Sequence, residues 1–309
     1  MGALSEKKIL ITGSTGYLGS SIGHYLKNLN FDVTYGSRFE TERFKDKNKT
    51  LLTDWENKEL DFISEYDVII NAAGPSAEVC ANDPNQAISQ YRKNNKKLID
   101  SIISHTKKRP TLIQLSTVHI YGDIKSSIID ENSNMNNKHP YACHRVDTEN
   151  YFLKHFYDHK IDGAILRLGN CFGSIGTLKG EGKNLFVNQL CNEVKTYGTL
   201  TIKSNPYEFR DFVPIEYLLQ IIKKLIETKS SLGLYNVVTG HTKTLLQVAK
   251  EISTVYFEEF NLNACLQFDK NHKRHEKKIL FDNERCKSLL KYNTKLYRTT
   301  LKSLLNSLN

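Results

Sequence analysis

The feature that most constrains this chain is the run KKILITGSTGYLG at residues 7–19, in which a strand-length apolar segment ends on three glycines spaced three apart. Gly13 permits a tight turn, Gly16 lets the backbone approach a bound group, and Gly19 lets the following helix pack closely on the strand. Helical spacing begins at Tyr17 and Leu18, so the free N–H groups and positive dipole end of a helix face the turn. A strand, glycine turn and helix in this order suit an anion, and the pyrophosphate of a dinucleotide is the expected one. The spacing is G-x-x-G-x-x-G rather than G-x-G-x-x-G. The predicted contacts are Gly13, Thr15, Gly16, Tyr17, Leu18 and Gly19.

Short apolar segments recur at 31–35, 50–52, 67–71, 111–116 and 163–168, with helical patterns at 17–29, 84–104 and 140–159. Strands separated by crossovers of this length predict a parallel sheet covered on both faces, an α/β fold of the doubly wound Rossmann type. Beyond residue 169 the regularity weakens. A glycine-rich stretch at 173–182 leads into helical patterns at 184–197, 215–228 and 245–260, with short strands expected at 200–203 and 234–238. The expected organisation is a nucleotide-binding domain over 1–169 and a smaller, mainly substrate-binding lobe over 170–309, with later segments returning to the main sheet.

Composition narrows the functional classes. Six Pro and 17 Gly in 309 residues exclude collagenous and low-complexity chains. The six cysteines are scattered with no C-x-x-C pair, which predicts reduced thiols and no metal site. No basic segment leads into a long apolar run at the start, and no stretch reaches the length of a membrane span. The expectation is a cytoplasmic protein without a membrane partner. The net charge of +9 invites a nucleic-acid reading, but eleven Lys and Arg against three acids in residues 270–309 supply nearly all of it. A basic stripe alternating with stacking aromatics is missing, so no nucleic-acid partner is expected.

The end of the second strand bears on the choice of cofactor. An NAD site wants a carboxylate there for the ribose 2′-hydroxyl, whereas an Arg accommodates a 2′-phosphate. The segment VTYGSR (33–38) has no acid and ends on Ser37 and Arg38, which predicts NADP(H).

Six motifs in order resemble the extended short-chain dehydrogenase/reductase family, in its nucleotide-sugar epimerase and reductase branch: TGSTGYLG (12–19), NAAG (71–74), STVHIYGD (116–123), PYACHR (140–145), RLGNCFG (167–173) and RDFVP (210–214). The resemblance implies a catalytic Tyr141 that exchanges a proton with the sugar oxygen. It also implies a residue four positions later that binds ribose hydroxyls. That position holds Arg145 where the family has Lys; the two share a helix face, and the fixed charge still favours the phenolate, although Arg does not relay a proton. Thr117 is the implied hydrogen-bonding partner of the reacting oxygen, with Ser116 beside it. His119 is a candidate acid/base or a satisfied strand-end histidine. Further implied cofactor contacts are Asp54, Trp55, Ala72, Ala73 and Gly74; implied substrate contacts are Asn170, Arg210 and Arg274, the arginines suited to a diphosphate.

In the family's dehydratases an acidic pair follows the Thr, but Val118 and His119 stand here. The expected activity is therefore NADPH-dependent reduction of a 4-keto, 6-deoxy nucleotide sugar. A nucleotide-sugar epimerase with retained cofactor is the first alternative and a non-catalytic NADP-binding relative the second. The resemblance also implies a homodimer.

Overall fold

The computed structural model describes residues 7–37, 50–52, 60–75, 77–105, 108–122, 128–174, 182, 184–228, 233–272 and 278–308. Its internal contacts divide the chain into two units. The first comprises Met1–Asp123, Asn134–Arg167 and Ile222–Tyr235; the second comprises Ile124–Ser133, Leu168–Ile221 and Asn236–Asn309. The sequence reading places one main division after residue 169. It also expects later segments to return to the main sheet; the contacts divide the chain after 167, with 222–235 in the first unit and 124–133 in the second.

In chain order the elements are β1 (Lys8–Thr12), α1 (Tyr17–Asn28), β2 (Asp32–Ser37), β3 (Thr50–Leu52), β4 (Val68–Asn71), α2 (Ala77–Asn82), α3 (Pro84–Ser104), β5 (Thr111–Thr117), β6 (Ile128–Ile129), α4 (Pro140–Tyr157), β7 (Gly163–Leu168) and β8 (Asn170–Phe172). They continue with α5 (Phe186–Tyr197), β9 (Thr199–Ile202), β10 (Phe209–Pro214), α6 (Ile215–Glu227), β11 (Gly233–Val237), β12 (Thr242–Thr244), α7 (Leu245–Phe260), β13 (Cys265–Phe268), β14 (Leu280–Phe281), α8 (Glu284–Leu289) and α9 (Lys295–Ser307). Short 3-10 turns precede β4 at Asp61–Glu65 and follow β5 at Val118–Tyr121.

The main sheet has seven strands in the order β11-β7-β5-β4-β1-β2-β3. Strand β1 pairs in parallel with β2 on one side and β4 on the other, Ile11 lying opposite both Tyr35 and Ile70. Succession runs outward in both directions from this point, which makes the fold a doubly wound, Rossmann-type α/β sheet. Central strands are apolar without alternation because both faces are covered: Val68–Asn71 and Gly163–Leu168 are buried at every residue. On one face Leu10, Ile69, Leu112 and Ile165 pack against Ile99 and Ile102 of α3 and Phe152 of α4. The crevice at the carboxyl ends of β1 and β4, where the order reverses, is where open α/β sheets take ligands.

The second unit is built from shorter pieces. Strands β8, β10 and β12 form a three-stranded sheet, with Phe212 opposite Asn170 in a parallel pair and Arg210 opposite Lys243 in an antiparallel one. Strands β9 and β13 pair in parallel, as do β6 and β14. Its core joins Phe172, Leu190, Phe212, Ile252 and Leu304 from five elements. No described helix is long and apolar enough to cross a membrane.

Candidate active site

Unit 1 gathers its chemistry at the switch point. Gly13 holds φ +66°, and a Cβ there would come within 2.7 Å of the Ala72–Ala73 backbone. A Cβ on Gly19 would meet Gly13 O at 2.3 Å. Both glycines are therefore required by close backbone approach. Helix α1 opens on Gly16 with no side-chain cap and no acid in its first turn, whereas α7 closes its start with a Thr244–Gln247 capping box. The first turn of α1 is thus left to interact with an anion. A pocket joins this turn to the ends of β2 and β4, lined by Gly13, Gly16, Ser37, Ala73, Gly74 and Asn95 among others.

The pocket brings together Gly13, Thr15, Gly16, Ser37, Ala72, Ala73 and Gly74 of the residues read from sequence. Tyr17, Leu18 and Gly19 instead form the helix turn behind it. Arg38, Asp54, Trp55 and Arg274 lie outside the described residues. Sequence reasoning missed the contribution of α3, whose Tyr91, Asn94, Asn95 and Leu98 also line the pocket. The available signal was the polar pair Asn94–Asn95 in a helix whose neighbouring Leu98, Ile99 and Ile102 are core residues.

Helix α4 delivers the proton-transfer candidates. It starts at Pro140 with His139 as its cap, the imidazole Nδ1 accepting from the Tyr141 N–H at 3.2 Å. Asn137 ties this start to the turn after β5, donating from Nδ2 to His119 O at 2.6 Å. Tyr141 is half-buried, and the Arg145 guanidinium lies 5.4 Å from its ring centre. Arg145 is 8% exposed; its Nη1 donates to Leu115 O at 3.1 Å, while its Nε has no partner among the described residues. A Cβ on Gly74 would sit 2.3 Å from Nη2, so the guanidinium rests directly on the Ala73–Gly74 backbone. Ser116 Oγ is likewise buried without a partner. Thr117 Oγ1 accepts from the His119 N–H at 3.2 Å, leaving its own proton to donate. The His119 side chain is exposed.

The same helix is anchored by a buried ion pair. Arg167 on β7 donates from Nε and Nη2 to Glu149, the shortest contact being 2.7 Å, and from Nη1 to Tyr121 Oη at 2.8 Å. His144, between the two site residues, is fully buried and tilts against Tyr91. Burial, with help from the charges of Arg145 and Arg92, pushes its imidazole down to about 3.

In unit 2, Asn170 donates from Nδ2 to Asp211 O at 3.2 Å. Arg210 forms a forked pair with Glu208 at 2.9 and 3.1 Å and is 28% exposed on its side chain. The Asp211 carboxylate is fully buried and accepts from Thr239 N, Thr239 Oγ1 and Gly240 N at 2.8–3.0 Å. Burial raises it nonetheless, and burial beside it pushes the Cys171 thiol up to about 12. All six cysteines are free. Among the described residues no group of three or more His, Cys, Asp or Glu is placed to hold a metal ion.

The features that would receive a dinucleotide are thus present together: a glycine cradle with no room for side chains, an uncapped helix start, and orphaned buried donors at Ser116 and Arg145. Residues 9–238 match the model of the NAD dependent epimerase/dehydratase family. The chain belongs to this family. Members are enzymes that use a nicotinamide cofactor. Among its relatives is the ADP-L-glycero-D-manno-heptose-6-epimerase of Brachyspira hyodysenteriae, 23% identical over 258 residues that cover 80% of this chain and 81% of the relative. In fold it resembles the UDP-N-acetylglucosamine 4-epimerase of Methanobrevibacter ruminantium, solved with UDP-N-acetylmuramic acid, at a TM-score of 0.81 and 18% identity over 97% of both chains. It also resembles the UDP-glucuronic acid 4-epimerase of Bacillus cereus, solved with UDP-glucuronic acid and NAD, at a TM-score of 0.78 and 20% identity over 97% and 98% of the two chains. Family membership gives the Tyr141 and Arg145 positions a context: this member carries Arg where the resemblance implies Lys.

Proposed function

We propose that this member of the epimerase/dehydratase family is an epimerase of a nucleotide-diphosphate sugar that retains its nicotinamide cofactor through turnover. The observation that carries the proposal is the placement of Arg145, its guanidinium on the Gly74 backbone at one end of the glycine-turn pocket and beside the Tyr141 ring. The glycine turn and the first turn of α1 would hold the cofactor diphosphate. Arg145, with Nε unspent, would hold ribose hydroxyls. Bound there, the nicotinamide supplies and takes up hydride.

Tyr141 takes the proton of the substrate hydroxyl as hydride leaves the same carbon. It returns that proton when hydride comes back to the opposite face. Thr117 donates to the reacting oxygen, since its acceptor side already receives the His119 N–H. Arg145 stabilises the negative charge that develops on the Tyr141 oxygen, but proton exchange with solvent must run by another route because a guanidinium stays charged. In unit 2, Asn170 and Arg210 are the proposed diphosphate contacts. A diphosphate at Arg210 competes with Glu208 for the fork. The epimerase names of the relatives support this reading over net reduction.

A second reading, the NADPH-dependent reduction of a 4-keto nucleotide sugar, is favoured by the end of β2, which finishes on Tyr35, Gly36 and a buried Ser37 without a carboxylate. The two separate in one experiment. Purified protein is incubated with UDP- and ADP-linked sugars, and in parallel with NADPH and 4-keto-6-deoxy nucleotide sugars. Isomerisation with no loss of the reduced-nicotinamide absorbance supports the epimerase; stoichiometric loss of absorbance supports the reductase. In either case Tyr141→Phe lowers kcat by about a hundredfold or more, the range expected for a positioned general acid/base. Unchanged turnover in that variant refutes the role given to Tyr141.

A further inference from the structure

A chain of buried amides and hydroxyls crosses unit 1 from the glycine turn to helix α4. Thr12 Oγ1 donates to Asn71 Oδ1 at 2.6 Å. Asn71 Nδ2 donates to Asn95 Oδ1 at 2.9 Å and to Gln114 Oε1 at 2.8 Å. Asn95 Nδ2 donates to Thr148 Oγ1 at 3.0 Å, and Thr148 Oγ1 donates to His144 O at 3.0 Å. From the other branch, Gln114 Nε2 donates to Leu115 O at 3.0 Å, the carbonyl that also accepts Nη1 of Arg145 at 3.1 Å. All five members of the chain are 5% exposed or less.

The direction of every link is determined. The Ala73 N–H can only donate, and it faces Asn71 Oδ1 at 3.3 Å, so Asn71 must present its amide nitrogen to Asn95 and Gln114. Those two then present oxygen to Asn71 and nitrogen onward. No member titrates, so the arrangement holds across pH. It is also fully connected, which is the condition under which a buried polar network rigidifies its surroundings.

Its ends are informative. Tyr141, Arg145 and Thr148 stand at i, i+4 and i+7 on α4, one face of the helix. The Asn95–Thr148 bond therefore fixes the rotation of the face that carries the site residues. The Gln114 branch meets Arg145 at a shared acceptor. We propose that Asn95, Gln114 and Thr148 are positioning residues that hold Arg145 and Tyr141 in register with the glycine turn, so that the two ends of one dinucleotide are received by parts of the protein locked together. This rests on the dinucleotide-binding part of the proposed function.

The test compares whole dinucleotides with fragments that lack the second ribose and the nicotinamide. The full-length protein is titrated calorimetrically with NADPH, NADH, 2′,5′-ADP and ADP. Thr148→Val, which keeps the volume and removes the hydroxyl, weakens the tighter-binding dinucleotide about fivefold, the scale of one net hydrogen bond, and leaves its fragment within about twofold. Thr148→Ser restores the affinity. Equal weakening of dinucleotide and fragment, or no weakening of either, overturns the proposal. Arg145→Met is the control for the underlying reading: it should weaken the dinucleotide and spare the fragment. A loss in Arg145→Met with Thr148→Val silent overturns positioning alone, while an unchanged dinucleotide affinity in Arg145→Met overturns both. If Thr148→Val does not fold, Gln114→Met cuts the other branch and is read by the same split.

Discussion

Each unit buries a carboxylate beside the residues assigned to its site, and the two solve the problem differently. Glu149 in unit 1 meets the forked guanidinium of Arg167, with side-chain exposures of 0% and 2%. Asp211 in unit 2 is held instead by the N–H groups of Thr239 and Gly240 and the Thr239 hydroxyl. A forked ion pair binds two distant elements, here β7 and α4, through charged groups that each need the other. Neutral donors from one tight turn fix a local loop and leave the carboxylate penalised by burial, which raises it. The first arrangement locks a helix that carries candidate catalytic residues; the second shapes the backbone around Asn170 and Arg210.

The largest test of that contrast is to remove the cation. Arg167→Met leaves Glu149 buried with its charge uncompensated, and it also removes the donor to Tyr121. Destabilisation of about 3–5 kcal/mol is expected, as for other broken buried pairs, measured by urea unfolding at neutral pH. A loss below 1 kcal/mol would mean that water reaches Glu149, and the contrast with Asp211 would dissolve.

Acid separates the units in opposite senses. His144 is held at about 3 in the folded protein, against about 6.5 when exposed. Between those values the unfolded chain binds the proton and the folded one does not, so stability falls as the pH drops from about 6.5 toward 3, at up to about 1.4 kcal/mol per unit. For Asp211 the folded value lies above the ordinary one, so the folded state takes up the proton first and the burial penalty eases as pH falls. His144→Leu should flatten the fall in melting temperature between pH 6.5 and 4. It should also cost little at pH 7.5, because it removes two buried ring nitrogens that have no hydrogen-bond partner among the described residues. An unchanged acid limb would show that His144 opens to solvent.

These contrasts also explain what could be read from the sequence. The central strands of unit 1 are legible because they are short, mainly apolar runs buried on both faces, as in β4 and β7: the pattern predicts a strand at 163–168, and β7 occupies it. In unit 2 the apolar residues of β10, Phe209, Phe212 and Val213, are interrupted by Arg210 and Asp211 and followed by Pro214, and β8 and β14 span three and two residues. Such strands exist only through their partners, so local pattern cannot reveal them. The glycine turn was legible since each glycine has a local steric reason. The Asn71–Asn95–Thr148 chain was not, because its members lie 24 and 53 positions apart and each looks locally like an ordinary surface polar residue. The Arg167–Glu149 pair was hidden for the same reason, 18 positions apart.

The smallest effect is expected where α3 and α4 meet at the surface. Arg92 donates from Nη2 to Asp147 Oδ2 across the same two helices that Asn95 and Thr148 tie in the interior, but the side chains are 58% and 42% exposed. Water solvates both charges in the unfolded chain almost as well, and ordering two flexible side chains costs entropy. Arg92→Ala should therefore change stability by less than about 1 kcal/mol, and the difference should shrink further in 0.5 M salt. It removes one of the charges that depress His144, so a slight upward drift of the acid limb is the more sensitive readout. A loss as large as that of Arg167→Met would mean that the surface tie, and not the buried network, sets the register of α3 and α4.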